Sequence, residues 1–322
     1  MAASGEHIKA LIRSHSDGDE DSFYTVALQV AARAAKLGHT TLASDLKHLI
    51  DGARTKPRLA QVSPISQPRG ELADFATATY PETRISDLVL DEQVRNEIDQ
   101  LLGEQIHRSR LESFGYSPAS RILLEGPSGT GKTMTASVLA GELGLALLTI
   151  RLDSIVSKYL GESASKLRQL FEFIAQQRAV YFFDEFDALA ADRTGNDIGE
   201  ARRLLNTFLV LLDDVRTDGL LVAATNHRSM LDRAVFRRFD TVISYQLPDP
   251  GAATTILKRR LSVLSTEFDW GKLVHSAVGL SHADLAMVAD TVAKRTLLRG
   301  ESIIEISELQ IEIQKRQIDV NG

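Results

Sequence analysis

The chain has 322 residues, 43% of them hydrophobic and 25% charged, a composition typical of a globular protein with a sizeable core. Its formal net charge of −6 disfavours tight, sequence-independent binding to nucleic acid, and the absence of cysteine excludes disulfides and thiolate metal sites. No apolar run approaches the roughly 20 residues needed to span a bilayer, and the N-terminus lacks an apolar signal segment, so we expect a cytoplasmic protein without a membrane span.

The first 85 residues carry two patterns. Leu28, Ala31 and Ala35 are spaced for one face of a helix, which predicts a helical N-terminal domain over residues 1–55. We expect this domain to bind a partner or a substrate. The stretch from residue 52 to 84 holds four of the eight prolines and has no sustained periodicity. We therefore predict a linker over residues 56–84.

From residue 85 to 248, short apolar runs alternate with longer amphipathic stretches, which is typical of a parallel α/β sheet flanked by helices. The predicted strands are Ile122–Leu124, Leu147–Ile150, Val180–Phe183, Leu220–Ala224 and Val242–Tyr245. Residues 249–322 show no strand pattern, and helices are predicted over 251–264, 268–277, 282–298 and 302–316. This C-terminal part is expected to form a small, all-helical lid domain.

The segment GPSGTGKT, Gly126–Thr133, matches the phosphate-binding pattern G-x-x-x-x-G-K-[ST] in full and lies between an apolar run and a helix-forming stretch. Its glycines let successive backbone N–H groups point at a phosphate, Lys132 supplies a cation for the β- and γ-phosphates, and the Thr133 hydroxyl is a ligand for Mg²⁺. The sequence therefore predicts a site for ATP and Mg²⁺. The nucleotide-contacting set in this segment is Gly126, Pro127, Ser128, Gly129, Thr130, Gly131, Lys132, Thr133 and Met134.

Acidic and amide residues follow two further apolar runs. Asp184 and Glu185 come directly after the run that ends at Phe183; Asp184 is predicted to hold Mg²⁺, and Glu185 to polarise the attacking water as a general base. Asp187 is left open between a structural and a catalytic role. Asn226 ends the next run, where its amide can bond the γ-phosphate and the water, although asparagine is also common in turns.

Taken together, these motifs make the stretch from about Ile85 to Leu298 resemble the AAA family of ATPases, in particular the clade with membrane-fusion, microtubule-severing and protein-unfolding members. GPSGTGKT resembles its Walker A motif, YFFDEFDAL its Walker B motif, and AATNHRSMLDRAVFRRFD its second region of homology. The resemblance implies a P-loop NTPase fold, ATP hydrolysis, and assembly into a homo-oligomeric ring, expected to be a hexamer, that acts on a protein substrate.

The resemblance also implies roles position by position. Asn226 falls at sensor 1, while Arg237 and Arg238 fall at the arginine fingers, which reach the γ-phosphate bound by a neighbouring subunit. The family often places Pro-Gly between these two arginines; here they are adjacent, so which of them acts in trans is open. Leu88 and Val89 fall where the family packs against adenine.

Two segments near the ring interior and the lid extend the resemblance. Ser157–Glu162 is similar to the first pore loop, in which Lys158, Tyr159 and Leu160 would grip the substrate; a buried core tyrosine is the alternative. Residues 191–197 are expected to form a second, more polar loop of the same channel. His282, at the expected start of a lid helix, is open between a nucleotide contact and a surface or capping role.

Three functions remain after these observations. The leading hypothesis is a ring ATPase that remodels, unfolds or translocates a protein through its pore. The second is an ATP-controlled assembly that regulates a dedicated partner, such as a protease, through residues 1–55 without threading. A nucleic-acid remodelling ATPase is the least favoured, because the net charge is negative and no basic domain is apparent.

Overall fold

The computed structural model describes residues 75–155, 162–189, 198–273 and 276–321, together with residues 26–28, 30–34 and 44. The chain divides into two compact units, Met1–Gln61 and Val62–Gly322. The described residues of the first unit are helical, and Val30, Ala31 and Ala34 are buried. Most of the predicted N-terminal domain, and the predicted linker as far as residue 74, lie outside the described residues.

A six-stranded sheet forms the centre of the second unit. Its strands are β1 (Ala76–Thr79), β2 (Arg121–Glu125), β3 (Leu147–Ile150), β4 (Val180–Phe183), β5 (Leu220–Thr225) and β6 (Thr241–Ser244). The strand order is β1-β3-β4-β5-β2-β6, in which β1 runs antiparallel to β3 and the other neighbours are parallel. All five predicted strands are confirmed to within one residue at either end.

Strand β1 was not predicted, because Ala76–Thr79 lies in the stretch that the sequence assigns to a linker. Its residues, Ala-Thr-Ala-Thr, carry no apolar run. The strand forms at the sheet edge, where β3 offers backbone groups to pair with, in a register from Ala76 opposite Ile150 to Thr79 opposite Leu147. Phe75, just before it, is buried in the core, and its carbonyl accepts a hydrogen bond of 2.8 Å from Arg151 N.

Helices cover both faces of the sheet. They are α1 (Glu92–Ile106), α2 (Arg108–Ser113), α3 (Lys132–Leu143), α4 (Leu152–Ile155), α5 (Glu162–Gln176), α6 (Ile198–Asp214) and α7 (Arg233–Phe236). Alternate residues of each strand enter different cores: Ile122 and Leu124 pack with α1 and α3, whereas Leu123 packs with α5 and α6. Burial on both faces explains why these strands read as continuous apolar runs.

The C-terminal part has its own hydrophobic core and three helices, α8 (Pro250–Arg260), α9 (His282–Leu298) and α10 (Ile306–Asn321). The predicted helix over 268–277 is wrong, since its described residues form only the short 3-10 turn Trp270–Lys272, capped by the Asp269 carboxylate. The last helix starts at Ile306 rather than 302, because Ile303 forms a parallel bridge with Ser265. None of the helices in the described ranges is long and apolar enough to cross a bilayer.

Candidate nucleotide site

The loop between β2 and α3 has the backbone expected of a phosphate cradle. Gly126, Gly129 and Gly131 all have positive φ, at 138°, 75° and 103°, which other residues adopt at a cost. A Cβ on Gly126 would also lie 2.4 Å from the carbonyl oxygen of Tyr245. Helix α3 begins directly after the loop, so its free N–H groups and positive dipole end face the loop.

Lys132 is folded back onto this loop. Its Nζ donates hydrogen bonds to the carbonyls of Gly126 (2.8 Å) and Pro127 (2.7 Å), and only 6% of the residue is exposed. Burial lowers the pKa of Lys132, while the negative charges of Asp184 and Asp187 act in the opposite direction. The ammonium group is therefore held inside the loop by carbonyls that a bound phosphate can replace.

The two predicted metal ligands lie next to each other. Thr133 Oγ1 donates a hydrogen bond of 3.3 Å to Asp184 Oδ2, and Asp184 Oδ1 accepts one of 2.9 Å from the backbone N–H of Glu185. A hydroxyl and a carboxylate are the oxygen ligands that Mg²⁺ prefers, and Mg²⁺ usually takes its remaining ligands from phosphates and water. The pair therefore fits a magnesium ion bound together with a nucleotide.

Glu185 has an unusual backbone. Its φ of 49° makes it the one residue other than glycine with positive φ among those that the structure describes. Such a conformation costs on the order of 1–3 kcal/mol and is characteristic of functional sites. It turns the chain sharply at the end of β4, where the Glu185 side chain is exposed and Phe186 is buried.

Asp187, whose role the sequence left open, connects the ends of two strands. Its Oδ1 accepts hydrogen bonds from Thr225 Oγ1 (2.9 Å) and from the backbone N–H of Asn226 (3.4 Å). This contact links the segment after β4 to the last residue of β5. The geometry supports a structural role for Asp187, which fixes the position of Asn226 beside the predicted acids.

The start of helix α9 lies against the phosphate cradle. The backbone N–H of Ala283 donates to the carbonyl of Gly129 (3.0 Å), and His282 Nε2 lies 3.0 Å from the carbonyl oxygen of Val89. Leu88 is buried, with its Cδ2 4.0 Å from where a Cβ on Gly131 would lie. The structure thus brings Leu88, Val89 and the cradle together with the lid.

Burial also lowers the pKa of His282, against the opposing effects of its bond to Val89 and of Asp91. Its Nδ1 is buried without a hydrogen-bond partner in the part of the chain that the structure describes. The imidazole therefore fastens the lid to the segment before α1, and the N-cap of α9 is the neighbouring Ser281. The capping role considered for His282 belongs to Ser281.

Comparison with known proteins agrees with this geometry. Residues 122–247 match the model of the ATPase family associated with various cellular activities (AAA). The chain is 32% identical over 317 residues to an uncharacterized AAA family ATPase, y4kL, of Sinorhizobium fredii, which covers 97% of this chain and 95% of that protein. The chain belongs to the AAA family of ATPases. It is accordingly a nucleotide-binding, ATP-hydrolysing enzyme with a P-loop α/β fold and a helical C-terminal part.

Other AAA relatives match over part of their length. The ATP-dependent zinc metalloprotease FtsH 1 of Phytoplasma mali is 32% identical over 261 residues, which is 77% of this chain and 44% of that protein. The proteasome-activating nucleotidase 2 of Halobacterium salinarum is 33% identical over 210 residues, which is 62% of this chain and 51% of that protein. This AAA chain therefore spans about half the length of these two relatives.

The two adjacent arginines of this AAA ATPase differ in their surroundings. Arg238 Nε lies 2.7 Å from Asp213 Oδ2 on the last turn of α6. Arg237 is exposed at the end of α7, where its backbone N–H donates to the carbonyl of Val235, but its guanidinium forms neither a hydrogen bond nor an ion pair with any described residue. The predicted pore-loop residues Lys158, Tyr159 and Leu160, and the second loop at 191–197, lie outside the described residues.

One buried acid beside the AAA nucleotide site was missed by the sequence analysis. Glu125, the last residue of β2, is only 3% exposed, and its Oε1 accepts hydrogen bonds from Arg228 Nη1 and Ser244 Oγ. A charged residue that ends an apolar strand just before the cradle was the available signal. Its partners lie more than 100 residues away in the chain, and no local pattern identifies them.

Proposed function

We propose that this AAA ATPase is a subunit of a homo-oligomeric ring, expected to be a hexamer, that uses ATP hydrolysis to remodel a protein substrate. The observation that carries the proposal is the exposed Arg237, whose guanidinium has no ion-pair partner among the described residues, in a chain that holds the other groups needed for hydrolysis. An exposed guanidinium of this kind is available to a neighbouring subunit.

Within one subunit, we assign the binding of ATP to the cradle from Gly126 to Met134 and to Leu88 and Val89. When bound, Mg²⁺ would neutralise phosphate charge, and Thr133 and Asp184 would hold it. Lys132 exchanges its two carbonyl partners for the β- and γ-phosphates. Glu185 polarises the attacking water, and Asn226 orients that water and the γ-phosphate.

Between subunits, Arg237 reaches the γ-phosphate bound by the neighbour and stabilises the charge that develops in the transition state. Because this charge stabilisation comes from another chain, hydrolysis depends on assembly. Asp213 holds Arg238 within its own subunit, which supports Arg237 as the residue that acts in trans.

The relatives support a protein as the substrate. One is named as an ATP-dependent zinc metalloprotease, and another as a nucleotidase that activates the proteasome. We propose that Lys158, Tyr159 and Leu160 contact an unfolded segment in the centre of the ring, as the family resemblance implies. Residues 1–55 would then recruit the substrate or its carrier.

The Glu185→Gln variant tests this proposal. Loss of the carboxylate should lower kcat by a factor of about 10²–10⁴ while ATP still binds, since general-base catalysis contributes about that much. With ATP and Mg²⁺, light scattering should report a ring mass, and the ring should retain fluorescein-labelled casein. Glu172→Gln, an exposed acid on α5, is the matched control and should behave like the wild type.

Two outcomes would contradict the proposal. A Glu185→Gln chain that stays monomeric with saturating ATP and Mg²⁺ would contradict the ring. A ring that binds single-stranded DNA in a salt-dependent way but ignores casein would move the function to nucleic-acid remodelling.

A further inference from the structure

Glu125 places a buried negative charge directly before the phosphate cradle. It is the last residue of β2, its neighbour Gly126 opens the cradle, and its Oε2 is buried without a hydrogen-bond partner among the described residues. Arg228 is the basic group that pairs with it. The Arg228 side chain is 65% exposed but the Glu125 side chain only 4%, so the carboxylate would be destabilised without its cation and the ion pair holds Arg228 next to the cradle.

The same arginine contacts α7, the helix that ends just before Arg237. The guanidinium carbon of Arg228 lies 4.9 Å from the centroid of the Phe236 ring, within the range of a cation–π interaction. Phe236 is the last residue of α7, and Arg237 follows it. One side chain therefore touches both the residue before the cradle and the residue before the proposed trans-acting arginine.

Arg228 is held at its backbone, whereas the helix that it contacts is short and depends on such contacts. Arg228 comes two residues after Asn226, whose backbone is bound to Asp187, so its own backbone is fixed next to the hydrolytic site. Helix α7 has only four residues; the Asp232 carboxylate caps its start and Val235 is buried. Such a short helix relies on side-chain contacts to place its last turn.

We propose that Arg228 is a positioning residue that holds Arg237 in place and so connects the nucleotide site of one subunit to the arginine offered to the next. The inference rests on the proposed ring, since Arg237 has a target only in a neighbour. Efficient catalysis requires such a group to be placed to within about 1 Å. Arg228 is not itself a catalytic residue, because it acts through Phe236 and Arg237.

Two variants separate positioning from folding. Arg228→Ala removes both contacts but leaves the Glu125 charge buried and unpaired, so its melting temperature should fall. The double variant Glu125→Gln/Arg228→Ala also removes that charge and keeps an acceptor for the Ser244 hydroxyl, so its stability should recover. In both variants kcat should remain up to about 10²-fold below the wild type, with KM for ATP nearly unchanged.

Arg233→Ala is the matched control, because Arg233 is an exposed arginine on α7 without an ion-pair partner in the described ranges. It should leave kcat close to the wild-type value. A double variant with restored stability and wild-type kcat would show that Arg228 is only structural, and would overturn the inference.

Mixed rings identify the site on which Arg228 acts. Co-expressed, differently tagged Arg228→Ala and Glu185→Gln chains are purified through both tags and assayed for hydrolysis. In mixed rings, the Arg228→Ala subunits keep an intact Glu185. Such a subunit receives a well-placed Arg237 wherever the neighbour that donates this arginine is a Glu185→Gln subunit. Hydrolysis should therefore exceed the sum of the two separate variants. No gain would place the effect of Arg228 in its own site and overturn the inference.

A reference pair, Arg237→Ala with Glu185→Gln, distinguishes this failure from a failure of the ring itself. If the reference pair regains hydrolysis and the Arg228→Ala pair does not, the proposed ring stands and the role of Arg228 is rejected. If neither pair regains hydrolysis, the arginine does not act between subunits, and both proposals fall.

Discussion

At the scale of single residues, two neighbouring arginines have opposite surroundings. Asp213, at the end of α6, lies 2.7 Å from Arg238 and 3.9 Å from Arg121. Arg121 in turn pairs with Asp240 at 2.7 Å. Arg238 thus belongs to a small network within its own chain, whereas the exposed Arg237 guanidinium has no ion-pair partner in the ranges that the structure describes. Two residues of the same type thus have different surroundings because of one nearby carboxylate.

This difference predicts unequal effects of substitution. Arg237→Ala should lower kcat by a factor of about 10³–10⁵, the usual value of a trans-acting arginine, and leave the fold intact. Arg238→Ala should cost about 0–1 kcal/mol of stability, as for other exposed ion pairs, with a smaller loss of kcat. Steady-state hydrolysis and thermal unfolding measure the two effects. A larger loss of kcat in Arg238→Ala would reverse the assignment.

Single acids near the site show the same dependence on surroundings. Glu185 and Asp187 are two residues apart, yet Glu185 is exposed at a strained turn and Asp187 is bound to Thr225 and Asn226. The Glu185 side chain is exposed at this turn, whereas Oδ1 of Asp187 is engaged by two hydrogen bonds. This difference supports the proposed role of Glu185 as the group that acts on water.

At the scale of elements, the N-terminus of α9 is fastened on several sides. Ser281 and Asp284 form a capping box, and Arg316 on α10 lies 2.8 Å from Asp284 Oδ1. Burial raises the pKa of Asp284, but hydrogen bonds from Ser281 and Arg316 outweigh it and hold the pKa below its ordinary value. An ionised Asp284 therefore stabilises the helix start and joins two lid helices.

The corresponding prediction concerns stability and pH. Asp284→Ala should lower the free energy of unfolding by about 1–2 kcal/mol at pH 7, because it removes one side chain of the capping box with Ser281 and the partner of Arg316. Because the folded pKa lies below the unfolded value of about 3.9, this contribution is present above that value and is lost as the pH falls toward the folded pKa. The difference between wild type and variant should therefore shrink in acid.

Urea unfolding between pH 7 and pH 3 measures that difference. Asp290→Ala is the matched control on the same helix, because Asp290 forms a more exposed pair with Arg260 at 3.5 Å and caps nothing. It should have little effect at any pH. If the difference in the free energy of unfolding between Asp284→Ala and wild type stayed constant down to pH 3, an ionised Asp284 would not be what stabilises the start of α9.

At the scale of the whole molecule, the parallel strand order gathers the site at one edge of the sheet. The ends of β2, β4 and β5 carry the cradle, the acids and Asn226, and these strands are neighbours in the order β4-β5-β2. The lid closes onto the same edge: a Cβ on Gly129 would lie 2.4 Å from Ser281 Oγ and 3.1 Å from Ala283 Cβ. The cradle and the lid are thus in direct contact.

Gly129→Ala tests this contact. The new methyl group would clash with the start of α9 and strain a backbone with φ of 75°, so the cradle or the lid must shift and affinity for ATP should fall. Gly300→Ala is the matched control, since its φ is also 75° but nothing lies within 4 Å. Titration with a fluorescent ATP analogue compares the two Kd values. Equal affinities in both variants would show that the contact does not matter for binding.

The sequence by itself determined the features that arise within short stretches of chain. Apolar runs predicted all five parallel strands, because strands buried on both faces show no alternation of polar and apolar residues. The glycine pattern predicted the cradle, because the backbone of the cradle needs positive φ values that glycine adopts easily. The paired acids after β4 and the asparagine after β5 were likewise readable, because parallel strands deliver such residues to one edge.

Only the tertiary structure decided the features that depend on partners distant in the chain. Strand β1 exists because the edge of β3 pairs with it, although its own Ala-Thr repeat is a weak strand signal. Arg238 is held by Asp213, and Glu125 by Arg228, although each pair is too far apart in the sequence for a local pattern to reveal it. Charge pairing and edge pairing act through space, so their outcome becomes visible only once the sheet has brought these residues together.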